Sequence, residues 1–491
     1  ATSSSMRCDF MDLITYPDAL GGNLKSLQKI LDSSFSGIFT GLHILPPYPS
    51  SGDRGFAPIN YKKIDPRFGD WGDIRSLAQN YEITLDLMVN HVSAKSKMFQ
   101  DYLKRGDDSV FKNFFLEVKD IWPAGSVPSD DMKKLVLRRP EPWSEFIVCN
   151  EAKQIWTTFG KENPSEQIDL NVHDEGVKEY FHDLFGFFAS QHIKSIRLDA
   201  IAYVIKKAGT SCFFVEPDIY EFMNRIEDEA EQHGITALHE IHADFTVLEK
   251  IQEKNYRHYD FLLPYAVLEA VLTEDGTLYK KLLKDRPGDS VTLIDCHDGI
   301  PVQPDLNGLL EESSLRKVLS MTASRGARCT KLHAKEKYYA DAPDVHQICG
   351  TLYSLLGEDD DAQVLARALQ VFIPGHPQIY YEGLLCGLND EAAYEADHDP
   401  RSLNRRNYTE EAVIKACQKP VVKRLLRMLR FAAEEDFRSG VFSLLNTDYQ
   451  SISWNWRSGQ NNYLFKADLS KKIIKCIKKS LIHDTEEVIT F

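Results

Sequence analysis

Eight short runs of apolar, β-forming residues recur along this chain of 491 residues, and their spacing constrains the fold more than any other feature. Segments with the 3.6-residue apolar period of helices lie between most of these runs, for example over residues 177–190 and 217–233. Strands that alternate with helices are typical of a parallel barrel. We therefore predict the α/β class and a (β/α)8 TIM barrel, with the chemistry at the carboxyl ends of the strands. The eight predicted strands cover residues 13–16, 42–45, 85–89, 193–198, 235–238, 261–263, 291–294 and 371–373.

Two gaps in this rhythm are much longer than the usual connection of about 2 to 6 residues. They predict two inserted subdomains over the barrel mouth, at residues 92–171 between strands three and four and at residues 301–356 between strands seven and eight. After about residue 440 the sequence changes to short segments of alternating polarity, which predict a small C-terminal antiparallel β domain at residues 441–491. The barrel itself is predicted from residues 1–91, 172–300 and 357–440.

The charge and cysteine content narrow the possible partners and the compartment. The net charge of -15 predicts no nucleic-acid partner and no binding to an anionic membrane, so an anionic ligand requires a local basic cluster. No apolar stretch approaches the roughly 18 residues of a membrane helix, and the N-terminal residues lack a basic head before an apolar segment. The nine cysteines contain no C-x-x-C pair, which predicts reduced thiols and no zinc site. We expect a cytoplasmic protein.

Two carboxylates at the ends of predicted strands suit glycosyl transfer. Arg197 and Asp199 are two residues apart, so on a strand they share a face, and the guanidinium is expected to hold the Asp199 carboxylate ionised as a nucleophile. Glu240 follows an apolar run, where desolvation is expected to raise its pKa and keep it protonated as a general acid. A single carboxylate is more often a surface or ion-paired group, but retaining glycosyl transfer requires this pair of protonation states.

Four motifs in this order resemble those of the α-amylase superfamily. They stand at residues 86–91, 197–200, 240–242 and 297–298. The resemblance implies that Asp199 is the nucleophile, Glu240 the general acid/base, and Asp298 a third carboxylate that binds sugar hydroxyls and stabilises an oxocarbenium-like transition state. It also implies that His91 and His297 hydrogen-bond the same glucose.

Within that superfamily the chain resembles the sucrose phosphorylase branch over most of its length. The supporting stretches are residues 41–46, 52–56, 209–213, 295–300, 374–378 and 403–405. The resemblance implies a subsite closed at the glucose end, where Asp53 and Arg401 grip the distal hydroxyls and Phe56 offers an apolar face. Arg197, Tyr203, Gln167 and Gln347 also fall at binding positions of the branch, although packing is an open alternative for Tyr203 and Gln167.

Residues 137–139, 156–161 and 164–169 resemble, more narrowly, the phosphorylases that act on sucrose 6'-phosphate. Plain sucrose phosphorylases tend to have Tyr before the Gln that corresponds to Gln347, whereas this chain has His346. We expect Arg138 and His346 to bind the phosphate of a phosphorylated fructose, with His346 contributing only when protonated. Further basic residues of the two insertions add to a setting that could receive the phosphorylated fructose, although a solvated position is the open alternative for the lysines: Arg139, Lys331, Lys335 and Lys337.

Three positions depart from the branch. Pro400 replaces a glycine, His398 stands where a lysine is expected in enzymes for the 6'-phosphate, and Glu382 adds a carboxylate near the barrel mouth. The calcium ligands of many amylases are not identifiable in the first insertion, so we predict no metal, and we expect no cofactor.

The resemblance implies a retaining, glucosyl-transferring phosphorylase. It would cleave sucrose 6'-phosphate, or sucrose, with inorganic phosphate to give α-glucose 1-phosphate and fructose 6-phosphate, or fructose, through a β-glucosyl-Asp intermediate. A glucosylglycerate-type phosphorylase, an α-glucoside hydrolase and a non-catalytic amylase-fold scaffold are the alternatives. The sugar substrate and inorganic phosphate are the expected partners.

Overall fold

The computed structural model describes residues 11–243, 245–286, 290–302, 310–330 and 345–491. Eight parallel strands form its central sheet: β1 Asp12–Thr15, β2 Gly41–Ile44, β3 Glu82–Met88, β4 Ser195–Asp199, β5 Thr236–His239, β6 Tyr259–Asp260, β7 Val291–Thr292 and β8 His376–Tyr380. Their order in the sheet is β6-β7-β8-β1-β2-β3-β4-β5. A parallel bridge between His239 and His258 joins the two ends of the sheet, which confirms the predicted barrel.

Helices surround this barrel, and the two that the periodicity predicted are confirmed at Glu175–Ser190 and Asp218–Gln232. Each turns an apolar stripe toward the strands because apolar residues recur every three or four positions. The other helices around the barrel are Leu24–Asp32, Trp71–Ala78, Phe245–Glu253, Leu263–Thr273, Thr277–Asp285, Asp360–Val371, Tyr381–Leu384, Glu391–Asp397, Glu410–Ala416 and Pro420–Glu434.

Two of the predicted strands are wrong. Residues 261–263 lead into the helix Leu263–Thr273, and the sixth strand precedes them at Tyr259–Asp260. Residues 371–373 end the helix Asp360–Val371, and the eighth strand follows at His376–Tyr380. Both helices are buried along almost their whole length, so the apolar residues at their ends read like core strands.

The C-terminal residues form a five-stranded antiparallel sheet that packs on the end of the helix Asp360–Val371. The indole N–H groups of Trp454 and Trp456 both donate to the Phe372 carbonyl oxygen at 2.8 Å, and the Phe372 ring stacks on Phe465 with centroids 4.5 Å apart. Phe372 is therefore apolar because it forms this interface. The five strands are β9 Val441–Leu444, β10 Ser451–Ser458, β11 Asn461–Asp468, β12 Ile473–Ser480 and β13 Glu486–Thr490.

Two segments between barrel strands carry small antiparallel sheets of their own. In the first, Trp143–Val148 pairs with Glu151–Trp156 and His91–Ser93 pairs with Gln167–Asp169. Short helices accompany them at Lys97–Arg105, Val118–Ile121 and Ser129–Met132. In the second, strands Ile300–Pro301, Arg328–Thr330 and Gln347–Cys349 form a three-stranded sheet with Gln347–Cys349 in the middle, beside helices Glu312–Ser324 and Leu352–Leu355. The domain boundaries stay predictions.

Within the described part of the chain, none of the helices combines the length and the apolar character needed to cross a bilayer.

Candidate active site

The barrel strands bring the predicted site residues to one cavity of about 350 Å³ at their carboxyl ends. Asp199 is the last residue of β4, Glu240 directly follows β5, and Asp298 lies in the loop after β7. All of the predicted site residues except Arg197 line this cavity. They are Asp53, Phe56, His91, Arg138, Gln167, Asp199, Tyr203, Glu240, His297, Asp298, His346, Gln347 and Arg401.

Arg197 lies just beneath the cavity floor, with its side chain 3% exposed. Its Nη1 is 2.7 Å from Asp86 Oδ1 and 2.9 Å from Asp199 Oδ1. Its Nη2 is 3.7 Å from Glu240 Oε1. A single guanidinium thus contacts three carboxylates, and it fixes the positions of both groups that the motifs assign to catalysis.

The pKa order of those two carboxyls is the reverse of the expected one. Burial and the neighbouring Glu240 carboxylate raise the pKa of Asp199 well above its usual range. Burial also acts to raise the pKa of Glu240, but contacts with His242 and Arg197 outweigh it and the pKa is lowered. The Nε2 of His242 lies 2.6 Å from Glu240 Oε1, and the Ala200 backbone N–H donates to Oε2 at 2.7 Å. The expectation rested on desolvation alone and missed these partners.

Ion pairs link the part of the cavity lining where the resemblance places the glucosyl unit. Arg401 Nη2 lies 2.9 Å from Asp53 Oδ1 and 3.1 Å from Asp399 Oδ2, and its Nη1 lies 3.4 Å from Asp298 Oδ1. Although burial opposes it, the contacts with His297 and Arg401 hold the pKa of Asp298 well below its usual range. Asp298 is therefore an anion at the wall that would face the sugar hydroxyls.

Aromatic and imidazole groups form the adjacent wall. The Phe56 ring stacks on His297 with centroids 5.1 Å apart and planes at 4°. Burial lowers the pKa of His297 to about 3 and also lowers the pKa of His91, whose Nε2 lies 2.9 Å from the Phe56 carbonyl oxygen. Both histidines are therefore neutral at neutral pH and can donate or accept hydrogen bonds to a sugar without adding charge.

Arg138, Tyr203 and His346 form a further part of the cavity lining. The Arg138 Nε–H donates to the Tyr203 hydroxyl oxygen at 2.6 Å. Burial, together with the neighbouring Arg138 and His242, lowers the pKa of His346 well below its usual range. His346 is therefore neutral in the free enzyme, where the contribution expected of its protonated form is absent. The Gln347 Oε1, next along the chain, accepts from the Gly299 backbone N–H at 3.2 Å.

Among the remaining basic candidates, none that the structure describes lines this cavity. Arg139 is buried and donates to the carbonyl oxygens of Gly160 and Glu162, so it shapes the first insertion and does not line the cavity. His398, at the end of the helix Glu391–Asp397, does not line it either. The three candidates Lys331, Lys335 and Lys337 lie outside the described residues.

Three further residues belong to the site, and sequence reasoning missed them. His242 and Arg405 stand inside motifs that were used for the resemblance, at residues 240–242 and 403–405, but no sequence signal showed their partners. Arg405 lies 3.6 Å from Asp298 and donates its Nε–H to the His297 carbonyl oxygen at 2.8 Å. Asp399, which pairs with Arg401, has no sequence signal of its own.

Two groups of possible metal-ligand atoms fall inside this site. The donor atoms of Glu240, His242 and Asp298 lie within 4.8 Å of one another, and so do those of Cys296, His297 and Asp298. The carboxylates of both groups already have arginine or histidine partners. At the base of the first insertion, the buried Lys206 ammonium lies 2.8 Å from Asp169 Oδ2 and donates to Asn90 Oδ1 at 2.5 Å, among oxygens of the kind that hard cations prefer.

Known proteins are similar to this chain in sequence. The family model described as the catalytic domain of α-amylase matches residues 23–270. The sucrose 6(F)-phosphate phosphorylase of Thermoanaerobacterium thermosaccharolyticum is 45% identical over 461 residues, which are 94% of this chain and 94% of that protein. The sucrose phosphorylase of Streptococcus mutans is 37% identical over 421 residues, 85% of this chain and 86% of that protein.

A solved structure agrees with the sequence relatives. The crystal structure of sucrose 6F-phosphate phosphorylase from Thermoanaerobacter thermosaccharolyticum superimposes with a TM-score of 0.96 at 42% identity and covers 100% of both chains. The barrel, the motifs at its strand ends and these relatives all indicate the same family. The chain belongs to the α-amylase family and, within it, to the branch of the sucrose phosphorylases.

Proposed function

We propose that this chain is a retaining phosphorylase that cleaves sucrose 6'-phosphate with inorganic phosphate to give α-glucose 1-phosphate and fructose 6-phosphate. One observation carries the proposal: the carboxylates of Asp199, Glu240 and Asp298 line one cavity together with the Asp53–Arg401 ion pair and with Arg138 and His346. The relatives that bear the name sucrose 6(F)-phosphate phosphorylase support the choice of substrate.

The chemistry follows from the assigned carboxylates. When substrate is bound, the single proton of this carboxyl pair has to stand on Glu240, although the contacts in the free enzyme favour Asp199. Asp199 then attacks the anomeric carbon as a carboxylate while Glu240 protonates the departing fructosyl oxygen, which forms a β-glucosyl ester on Asp199. Asp298 binds hydroxyls of the same glucosyl unit and stabilises the positive charge that develops on it. Phosphate then attacks from the side that the fructosyl group has left, and two inversions give overall retention.

The glucosyl unit is held by the part of the cavity that carries the Asp53–Arg401 ion pair. Asp53 and Arg401 bind its distal hydroxyls, and Phe56 and His297 provide the stacked wall beside it. We take the ion pairs to close this end, so that the site accepts one glucosyl unit and transfers it whole. His91, Gln167 and Gln347 complete the polar lining of the cavity.

We assign acceptor choice to the two inserted segments, since Arg138 comes from the first and His346 from the second. A phosphate monoester carries a charge of about -1.5 to -2, and each charge-assisted hydrogen bond contributes about 1.5 to 3 kcal/mol. One such bond from Arg138 is enough for a preference of about tenfold over fructose. Neutral His346 adds an N–H donor, and Tyr203 holds Arg138 in place.

The proposal is tested by an acceptor panel run from α-glucose 1-phosphate, with fructose, fructose 6-phosphate, glycerol and glycerate. Wild-type enzyme should prefer fructose 6-phosphate. Arg138→Gln and His346→Tyr should weaken that preference and spare fructose, whereas Lys133→Gln, at an exposed position of the same insertion, should change neither. Equal use of fructose and fructose 6-phosphate by wild-type enzyme would refute the assignment.

A second measurement separates a phosphorylase from an α-glucoside hydrolase, since the same carboxylates serve both reactions. Consumption of sucrose 6'-phosphate should depend on inorganic phosphate, and α-glucose 1-phosphate should be the main glucosyl product. Free glucose formed at the same rate without phosphate would indicate a hydrolase.

We also propose that the protein works in the cytoplasm. All eight cysteines in the described ranges are free thiols, six of them buried. Cytosolic redox conditions keep such thiols reduced.

A further inference from the structure

The segment that carries Asp53 has an unusual backbone. Asp53 and Arg54 both have φ of 45°, in the left-handed region that residues with a Cβ seldom adopt, and Gly55 follows with φ of 108°. A Cβ at Gly55 would lie 2.5 Å from the Pro46 carbonyl oxygen, so only glycine fits there. Such a backbone persists only where surrounding contacts hold it.

The side chain of Arg54 supplies those contacts. Its guanidinium lies over the Tyr16 ring, 3.9 Å from the centroid. Its Nη1 donates to the Arg405 carbonyl oxygen at 2.5 Å, and its Nη2 donates to Asn407 Oδ1 and lies 3.3 Å from Asp18 Oδ1. One guanidinium thus joins the loops that follow β1, β2 and β8.

These contacts lead to the glucose end of the cavity. The loop after β8 also carries Arg401, whose Nη2 lies 2.9 Å from Asp53 Oδ1. Arg405, whose carbonyl accepts from Arg54, lies 3.9 Å from Asp53 and 3.6 Å from Asp298. Arg54 does not line the catalytic cavity but lines two smaller cavities behind it.

We propose that Arg54 is a positioning residue that holds the Asp53 carboxylate against Arg401 and thereby sets the enzyme's affinity for the glucosyl unit, without touching the substrate. The inference rests on the proposed assignment of Asp53 to glucose binding. Nothing in the motifs assigns a role to Arg54, although it stands inside the stretch 52–56 that supports the family resemblance.

The two half-reactions of the double displacement report on this role separately. The kcat/KM for the donor compares free enzyme with the first transition state, so it contains all the energy of binding the glucosyl unit. The kcat/KM for phosphate starts from the glucosyl enzyme, where that unit is already bound. If Asp53 is no longer held in place, kcat/KM for the donor should fall and kcat/KM for phosphate should stay nearly unchanged. Loss of folded enzyme would lower both values equally.

The test uses the full chain with α-glucosyl fluoride as donor and inorganic phosphate as acceptor, so it does not depend on which sugar acceptor is natural. Arg54→Met should lower donor kcat/KM at least tenfold and change phosphate kcat/KM less than threefold. Arg54→Lys keeps the charge but cannot reach all the partners, so its donor kcat/KM should lie between those of wild type and Arg54→Met. If Arg54→Met does not fold, a lower donor kcat/KM of Arg54→Lys with nearly unchanged phosphate kcat/KM supports the inference in its place. Arg67→Met, at an exposed arginine further along the same connection, should match wild type.

A double-mutant cycle with Asp53→Ala tests whether Arg54 acts through Asp53. In the Asp53→Ala background, Arg54→Met should cause little further loss of donor kcat/KM. Additive losses, equal losses in both half-reactions, or no loss in Arg54→Met would overturn the inference. If Asp53→Ala alone leaves donor kcat/KM unchanged, the assignment of the glucose end is wrong and the inference falls with it.

Discussion

The imidazole Nε2 of His242 lies 2.6 Å from the Oε1 of Glu240, the carboxyl that we assign as general acid. The His242 ring is fixed by stacking on Phe261, with centroids 3.9 Å apart and planes at 18°. Its contact is a main reason why the pKa of Glu240 is lowered despite burial. The histidine therefore controls the pH range in which the acid still carries its proton.

Replacing His242 should move the alkaline limit of activity upward. Because His242 lowers the pKa of Glu240, His242→Gln raises that pKa, and the protonated acid persists to higher pH. We expect the basic limb of kcat/KM for sucrose 6'-phosphate to shift up by about one pH unit. The profile with α-glucosyl fluoride, whose leaving group needs little protonation, is the internal control. A downward shift or none would contradict this role.

The two catalytic carboxyls should respond differently to the leaving group. Asp199→Asn removes the nucleophile and should lower turnover by about 10⁴-fold or more with every donor. Glu240→Gln should lose about 10² to 10⁴-fold with fructosyl donors but far less in glucosylation from α-glucosyl fluoride. Initial rates of both variants with both donors check the assignment. Equal losses of Glu240→Gln on both donors would remove it from the acid role.

Lys206 should stabilise the base of the first insertion. Lys206→Met leaves Asp169 as a buried carboxylate without its cation, which should lower the free energy of unfolding by about 3 to 5 kcal/mol. The adjacent Lys207→Met, at an exposed lysine, should have little effect in urea titrations. Chelator should leave wild-type activity unchanged. Inactivation by chelator with rescue by calcium, or equal destabilisation by both variants, would refute this assignment.

Glu382 should make the fold less stable as pH rises. Burial raises the pKa of this carboxyl to about 8, and the Tyr408 hydroxyl donates to its Oε1 at 2.9 Å. In the unfolded chain this carboxyl ionises near its ordinary pKa of 4.5, so stability that is present below that pH is lost progressively up to about pH 8. Glu382→Gln should remove this loss and be more stable than wild type at pH 8, by on the order of 3 kcal/mol.

Urea unfolding at pH 5 and pH 8 measures the effect of Glu382. Glu411→Gln, at an exposed position, is the matched control and should follow wild type. A wild-type protein that is equally stable at both values would contradict a neutral, buried Glu382.

The preference for a phosphorylated acceptor should not weaken between pH 7 and pH 8. His346 is neutral in the free enzyme because burial, Arg138 and His242 lower its pKa, so it has no charge to lose in this range. The acceptor phosphate is already mostly dianionic. Ratios of kcat/KM for fructose 6-phosphate and fructose at both values check this, with His346→Gln as comparison. A steep fall in wild type that is absent from His346→Gln would contradict it.

The barrel strands show most clearly how much of the fold could be predicted from the sequence. Six of the eight predicted runs coincide with or overlap observed strands, because a short β run between helices leaves a local signature. The sixth and eighth were displaced, since the apolar residues at 261–263 and 371–373 pack in or beside buried helices. Phe372 is apolar because its ring stacks on Phe465 and Phe491 of the distant C-terminal segment.

In the candidate active site, some features could likewise be predicted from the sequence and others could not. The carboxylates Asp199, Glu240 and Asp298 could be predicted because each stands in a motif at a strand end. Their pKa order could not, since it depends on His242 and on a shared Arg197. The role of Arg139 was misjudged because a basic side chain looks alike in sequence whether it faces a cavity or its own loop.

By itself, the sequence determined the strand and helix alternation, the position of the catalytic carboxylates at strand ends and the family, because periodicity and motif order are properties of the linear chain. Only the tertiary structure decided which carboxyl is favoured to hold a proton, how Arg54 ties three loops behind Asp53, and why Glu382 is tolerated. Each of these depends on electrostatic and hydrogen-bond contacts of about 3 to 4 Å between groups distant in sequence, and such contacts have no linear signature.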